Sequence, residues 1–421
     1  MKKNFGNGDF RWLPYLVLIA YFSILVFSEI YLGSYSVISN DYFFVSSIPY
    51  FWDLGVVLCG IDAMRNGLDP YLICTNYYYP DFNYPISWGM FSVFPFVTTS
   101  NHNAIGLAMI FLSFLLLYFF IGKLDLRGGL YYALFFVSTS TMLAFDRGNC
   151  DVIILIFLLF ALVFRSSSQF LPLTIALCAI LKIFPMGGFL FFFKKKTIES
   201  WKSAIFPAMI MLATISVFFL MRESLFIVSA RTPRPFTGAS YGLGNIPSLL
   251  IQYFKLNSPL STGVWLMYYV GLVIGYILTF RYFNSRRLIP EIPEKWEGDA
   301  FLVGSGIFIT TCLIGFNFNY RFIFLVLTIP FLLSHLKEHK NKMVLLLLVL
   351  SLLVSWHTFI EDFLRVVIGP HLQYKPQYNS YVYQYVTQGY VIIIFWIHLC
   401  ILQKRLLELW FFLFQKTQFE R

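Results

Sequence analysis

Long apolar blocks dominate the chain, and their period decides the fold class. A run such as Val152-Ile153-Ile154-Leu155-Ile156-Phe157-Leu158-Leu159 does not alternate apolar with polar positions. That excludes a membrane β-barrel, whose strands are alternating segments of about 10 residues. Blocks of about 20 residues match instead a helix crossing a bilayer core about 30 Å thick. Clear blocks cover 12–32, 104–122, 130–145, 152–164, 169–193, 203–221, 262–282, 300–316, 320–336, 343–358 and 386–402, with a weaker one at 86–98. The pattern predicts an all-α polytopic membrane protein of about 10 to 12 transmembrane helices. Residues 1–421 are expected to form a single integral-membrane domain.

Composition supports this reading. Hydrophobic residues make up 58% of the chain and charged residues 12%, against about 25% charged in soluble proteins. So few charges cannot coat a water-facing surface, and disorder and nucleic-acid binding are excluded on the same ground. The 31 Lys and Arg against 21 Asp and Glu, a net +10, bear instead on sidedness, because basic clusters stay cytoplasmic. Lys2, Lys3 and Arg11; Lys123 and Arg127; Arg165; Lys194 to Lys196; Arg281, Arg286 and Arg287; Lys337, Lys340 and Lys342; and Lys404 and Arg405 fit one alternating scheme with both termini inside. Met1-Lys2-Lys3 lacks a following small-residue cleavage site, so the first span is expected to be uncleaved.

One block resists this scheme. Arg165 and the Lys194 to Lys196 cluster both belong inside, so the block 169–193 must enter and return. Its interruption at Lys182-Ile183-Phe184-Pro185 suggests a broken or re-entrant hairpin, since proline breaks the helical ladder. A single kinked span is the alternative. Three external segments are long, 33–103, 222–261 and 359–385, and their aromatic residues, Pro and Asn favour folded elements on the membrane surface. No repeat of fixed period is present, which weighs against an inverted-repeat transporter. The six cysteines have no CxxC spacing; Cys59 and Cys74 could meet on the outer face.

The first external segment carries the most chemistry. Residues 51–65 read as a short interfacial helix closed by Asn66-Gly67. Asp53 and Asp62 lie nine residues apart, about 900° of rotation, so their carboxylates point to opposite sides. Asp53 shares its side with Val56, Val57 and Gly60, a packing stripe that would partly desolvate it and favour a role as a base. It could equally be the helix N-cap.

Asp53, followed by Gly67-Leu68-Asp69-Pro70-Tyr71 and Asn83-Tyr84-Pro85, resembles the first external loop of glycosyltransferase family 87. These are multispanning, polyprenyl-phosphate-sugar-dependent enzymes of the GT-C class. Arg147-Gly148-Asn149-Cys150-Asp151 and Ala179-Ile180-Leu181-Lys182-Ile183-Phe184-Pro185 look like that family's central signature. Gly244-Asn245-Ile246-Pro247-Ser248-Leu249 looks like its Gly-Asn-x-Ser-Leu element with one extra residue, and Pro85-Ile86 stands where the family has a double proline. The similarity runs over about residues 50–335. It implies a GT-C-like bundle with interfacial helices in the first external loop. It also implies inverting transfer of a sugar from a polyprenyl-phosphate carrier to a glycan or glycolipid acceptor on the outer face, with Asp53 as catalytic base.

Such a reaction needs a cation near the donor phosphate, best supplied by arginine. Arg147, Arg231, Arg234 and Arg321 are candidates, with Lys182 as a further phosphate ligand or a structural lysine bonded to carbonyls freed near Pro185. An ion pair of Arg147 with its neighbour Asp146, and solvated loop charges at Arg231 and Arg234, are the alternatives. Asn149, Tyr241, Asn245, Asn319 and Tyr320 are the substrate-binding candidates, although aromatic belts explain many interfacial tyrosines. No cofactor is expected, and the scattered acids permit a divalent metal without requiring one. The expected setting is the bacterial cytoplasmic membrane with the active site on the periplasmic side. An O-antigen polymerase and a lipid-linked sugar flippase or transporter are the rival readings.

Overall fold

The computed structural model describes residues 9–20, 23, 51–74, 81–164, 169–192, 201–232, 240–314, 317–360, 363 and 376–419. The described chain is mostly helical, with one two-residue antiparallel pairing. Among the described residues, three helices are long and apolar enough to cross a membrane: Thr99–Ile121, Ser258–Ser285 and Tyr385–Phe411. Three further pairs pass the same test together but are bent, by 52° at 136–139, 71° at 220–222 and 55° at 327–329, giving up to six spans. Arg165, Lys194 to Lys196 and Arg234 lie outside the described residues.

The chain divides into two compact units, one of Met1–Met186 with Pro207–Pro233, the other of Gly187–Phe206 with Arg234–Arg421. The first unit is built on α1 (Trp52–Arg65), α2 (His102–Ile121), α3 (Leu126–Phe136), α4 (Thr139–Asp146), α5 (Cys150–Val163) and α6 (Phe170–Leu181). Helix α5 packs between α2 and α6. Its core residues Ile154, Leu155, Leu158 and Leu159 are fully buried, as expected for a helix apolar all round. The interruption expected near Lys182 is present. Helix α6 stops at Leu181, Lys182 is extended (φ −160°, ψ 125°), and a 3₁₀ helix resumes over Phe184–Phe192. The last carbonyls of α6 are not orphaned: Ser87 Oγ donates to Ile180 O (2.8 Å) and Trp88 Nε1 to Leu181 O (3.1 Å).

Phe10 N donates to Leu124 O, which joins the Arg11 segment to the Lys123–Arg127 turn.

The second unit contains α9 (Asn245–Phe254), α10 (Ser258–Ser285), α11 (Trp296–Leu313), α12 (Ile329–His339), α13 (Lys342–Ser355) and α14 (Pro376–Phe419), following α7 (Trp201–Leu220) and α8 (Arg222–Arg231) in the chain. Helix α11 is its axis, buried along most of its length. Gly306 and Gly187 are in direct backbone contact; a Cβ on Gly187 would lie 2.1 Å from Gly306 O. Helix α10 differs: no residue along its 28 is buried.

Candidate functional site

The site begins with the backbone around α1. Phe51 caps this helix in the left-handed region (φ 56°), a conformation that costs about 1–2 kcal/mol for an L-residue. Two hydrogen bonds hold it there, Phe51 N to Asp146 O and Asp53 N to Arg147 O, both 2.9 Å. Beneath lies Gly148 (φ +55°), where a Cβ would sit 2.9 Å from the Phe51 Cβ and 3.1 Å from the Leu54 Cβ. The Arg-Gly-Asn turn is therefore pressed against the head of α1, and only glycine fits at its centre.

This contact gives Asp53 its partners. Arg147 donates from Nε to Asp53 Oδ2 (2.9 Å) and from Nη2 to Oδ1 (2.6 Å), and Asn149 Nδ2 donates to Oδ2 (2.5 Å). Asp53 is buried, at 6% exposure, and makes no capping hydrogen bond. The N-cap reading of Asp53 is therefore set aside, because the side chain turns away from its own helix to meet a turn 94 residues on. The bidentate partner of Arg147 is likewise Asp53, not the adjacent Asp146. Asn149 serves two elements: its amide nitrogen holds Asp53, while its Oδ1 accepts from Asp151 N (3.0 Å) and caps α5.

The network continues to Lys182. Asp151, fully buried in the first turn of α5, accepts from Lys182 Nζ at 2.5 Å, and Cys150 Sγ lies 3.1 Å from the same ammonium. Lys182 thus stands level with the start of α5. The partner shown for Lys182 is therefore a buried carboxylate, a strong partner for an ammonium. The Tyr84 and Phe184 rings lie 5.7 and 5.4 Å from Nζ. Asp53, Arg147, Asn149, Asp151 and Lys182 form one chain of hydrogen bonds, two part-buried cations against two buried carboxylates. Asp151 was missed as a site residue. The available signal was that an ammonium and a carboxylate in apolar sequence must each find a partner.

Arg231 lies in the same unit but docks elsewhere. Its Nη1 donates to Tyr71 O (2.6 Å), and its guanidinium lies 5.8 Å from the Tyr71 ring. Tyr71 also ties together segments around residues 84–86 and 224. Its hydroxyl donates to Tyr84 O (2.9 Å) and meets Ser224 Oγ at 2.6 Å, and Ser224 Oγ accepts from Ile86 N (3.1 Å). Burial pushes the Tyr71 phenol up, which keeps it a donor. Cys59 and Cys74 are joined in a disulfide that ties α1 to the Pro70–Ile73 turn.

Tyr241, Asn245, Asn319 and Tyr320 belong to the second unit and are all buried. Tyr241 pairs with Asn317 in the two-residue ladder, and its hydroxyl donates to Thr311 Oγ1 (3.0 Å). Asn317 bonds to Thr311 O and to Arg321, and Asn319 bonds to His357 Nε2. His357 Nδ1 donates to Val354 O (2.7 Å), leaving Nε2 to accept from the amide. Gln388 Oε1 accepts from Gly242 N (3.3 Å). Thr311, His357 and Gln388 thus join Arg321 and the other candidate residues in a second polar cluster. Among the described residues there is no group of three or more His, Cys, Asp or Glu able to hold a metal ion.

No family model, no curated protein and no solved structure matches the chain.

Proposed function

We propose that this protein is an integral-membrane glycosyltransferase of the GT-C class, with a bundle of about 10 to 12 spans, acting on the outer face of a bacterial cytoplasmic membrane. It transfers a sugar, with inversion, from a polyprenyl-phosphate carrier to a glycan or glycolipid acceptor. The observation that carries this reading is the buried Asp53–Arg147–Asn149 cluster. It joins the acid of the first external loop to the Arg-Gly-Asn turn, two motifs that the family resemblance links only by order in the sequence.

The cluster suggests how the reaction runs. Three hydrogen bonds fill three of the roughly four acceptor sites of the Asp53 carboxylate, so a lone pair on Oδ1 stays open to a proton. A lipid phosphate arriving at Arg147 competes with the carboxylate for the guanidinium. The acceptor oxygen then attacks the anomeric carbon as its proton passes to Asp53. The carbon to phosphate-oxygen bond breaks, and the polyprenyl phosphate leaves with the electron pair, its charge held by Arg147. The disulfide supports the placement of α1 outside the cytoplasm, since such bonds persist in oxidising compartments.

The test is sugar transfer from a polyprenyl-phosphate-sugar by purified protein, comparing Asp53→Asn with Asp62→Asn. Full activity of a folded Asp53→Asn protein ends the assignment. A second reading, a lipid-linked sugar flippase, draws on the buried Lys182–Asp151 pair, because charges buried in a membrane protein often mark a translocation path. Lipid flipping without any sugar transfer by the wild-type protein favours it.

A further inference from the structure

Three basic clusters of the second unit, far apart in sequence, converge on one cavity of about 1280 Å³. Arg286 and Arg287 follow the end of α10, Lys340 caps the end of α12, Lys342 opens α13, Lys295 caps α11 and Lys404 comes from α14. Three carboxylates, Glu291, Glu297 and Glu338, share the lining. Lys404 is partly engaged, donating to Ile289 O at 2.9 Å and standing 3.9 Å from Glu291. Arg286, Arg287, Lys295, Lys340 and Lys342 have no ion pair or side-chain hydrogen bond with any described residue.

Helix electrostatics explain some of these charges and not others. Arg286 and Lys340 cap helix C-termini, where cations are favoured. Lys295 and Lys342 stand at the N-termini of α11 and α13, where the dipole favours acids. Arg287 and Lys340 also hold left-handed backbone, φ 52° and 47°, without being glycine or asparagine. Two of these cations stand against the local field and all of them line a shared space, which is what an anion would need.

We infer that this cavity binds a phosphate group. The surroundings favour the phosphate of an anionic phospholipid. Helix α10, with no buried residue, runs its exposed Ile274, Ile277 and Leu278 toward Tyr282, which lines the cavity. An acyl chain lying along α10 therefore ends with its headgroup among Arg286, Arg287 and Lys342. Glu297 Oε2, buried and lacking a hydrogen-bond donor among the described residues, suits a hydroxyl beside the phosphate, as a glycerol headgroup supplies.

The experiment uses the full chain purified in detergent, with phosphatidylglycerol, phosphatidylcholine and inorganic phosphate as probes in native mass spectrometry and thermal-shift titration. Wild type should retain and be stabilised by phosphatidylglycerol over phosphatidylcholine. The Arg287→Gln/Lys342→Gln variant should bind phosphatidylglycerol about 10- to 30-fold more weakly, given about 1 kcal/mol per basic residue near an anionic lipid. The charge-matched control Lys255→Gln/Lys337→Gln, altering exposed residues off the cavity, should bind as wild type. Stabilisation by inorganic phosphate alone, lost in the same cavity variant, keeps the phosphate site and reassigns its source to a soluble ligand. No preference between the two lipids together with no response to phosphate, or equal loss in cavity and control variants, overturns the site.

Discussion

The two ends of α1 each hold a carboxylate facing an arginine, and they are built for different ends. Asp62 pairs with Arg65 one turn along the same helix at 2.6 Å, with side chains 22% and 27% exposed. It also accepts from Thr98 Oγ1, Thr99 N and Thr99 Oγ1, closing the loop that follows. Asp53 pairs with an arginine 94 residues away and is almost sealed from solvent. A local, wet pair of this kind contributes little to stability, whereas a buried long-range pair becomes a liability as soon as one partner is removed. The difference is one of consequence, not of bond length.

Activity should separate the two ends most sharply. Asp53→Asn should lower sugar transfer about 10²- to 10⁴-fold, the usual loss for a general base, while Asp62→Asn should stay within about tenfold of wild type. Equal losses would show that both carboxylates act only through folding. Next in size is a stability effect at the buried end. Arg147→Met leaves Asp53 buried without its cation and should cost about 3–5 kcal/mol, read as a drop in thermal unfolding temperature in detergent. The Asp53→Leu/Arg147→Met pair should lose less than the two single changes summed, a coupling expected only of groups in contact. Additive losses would remove the pair from the argument.

The disulfide sits between the two ends. Cys59→Ser/Cys74→Ser should cost about 3 kcal/mol, as for a closed loop of about 15 residues; alkylation and intact mass would first establish that wild type carries the bond. The smallest effect belongs to Asp62→Asn, which keeps one acceptor oxygen and should cost about 1 kcal/mol. A loss as large as that of Arg147→Met would erase the contrast between the ends.

What the sequence revealed about α1 was its periodicity. The nine-residue spacing placed Asp53 and Asp62 on opposite sides; Val56, Val57 and Gly60 are buried with Asp53, but so are Leu54, Gly55, Leu58, Ile61 and Ala63, so burial is not confined to that face. The 286–287, 340–342 and 404 clusters, which the charge rule groups on one side, line one cavity. Partners were not legible. Nothing in the local pattern of Asp151 names Lys182, and nothing in Arg231 names Tyr71. Such pairs depend on which helices become neighbours, a property of packing rather than period. Asp53 shows the limit well: its face was predictable, yet whether it capped its helix or crossed to Arg147 depended on a turn almost a hundred residues downstream.

The doubly held carboxylate at the head of α1 has a bearing on waste. A sugar activated on a phosphate carrier is exposed to water as well as to its acceptor, and a competent base beside it would promote hydrolysis as readily as transfer. If Asp53 is the base, then the Asn149 half of the clamp, which remains when the donor phosphate draws Arg147 away, is what holds the carboxylate off a stray water until the acceptor arrives. Donor hydrolysis without acceptor should then rise in variants that loosen the clamp, such as Asn149→Ala. The same contact that makes the site costly to mutate would act as its safety catch.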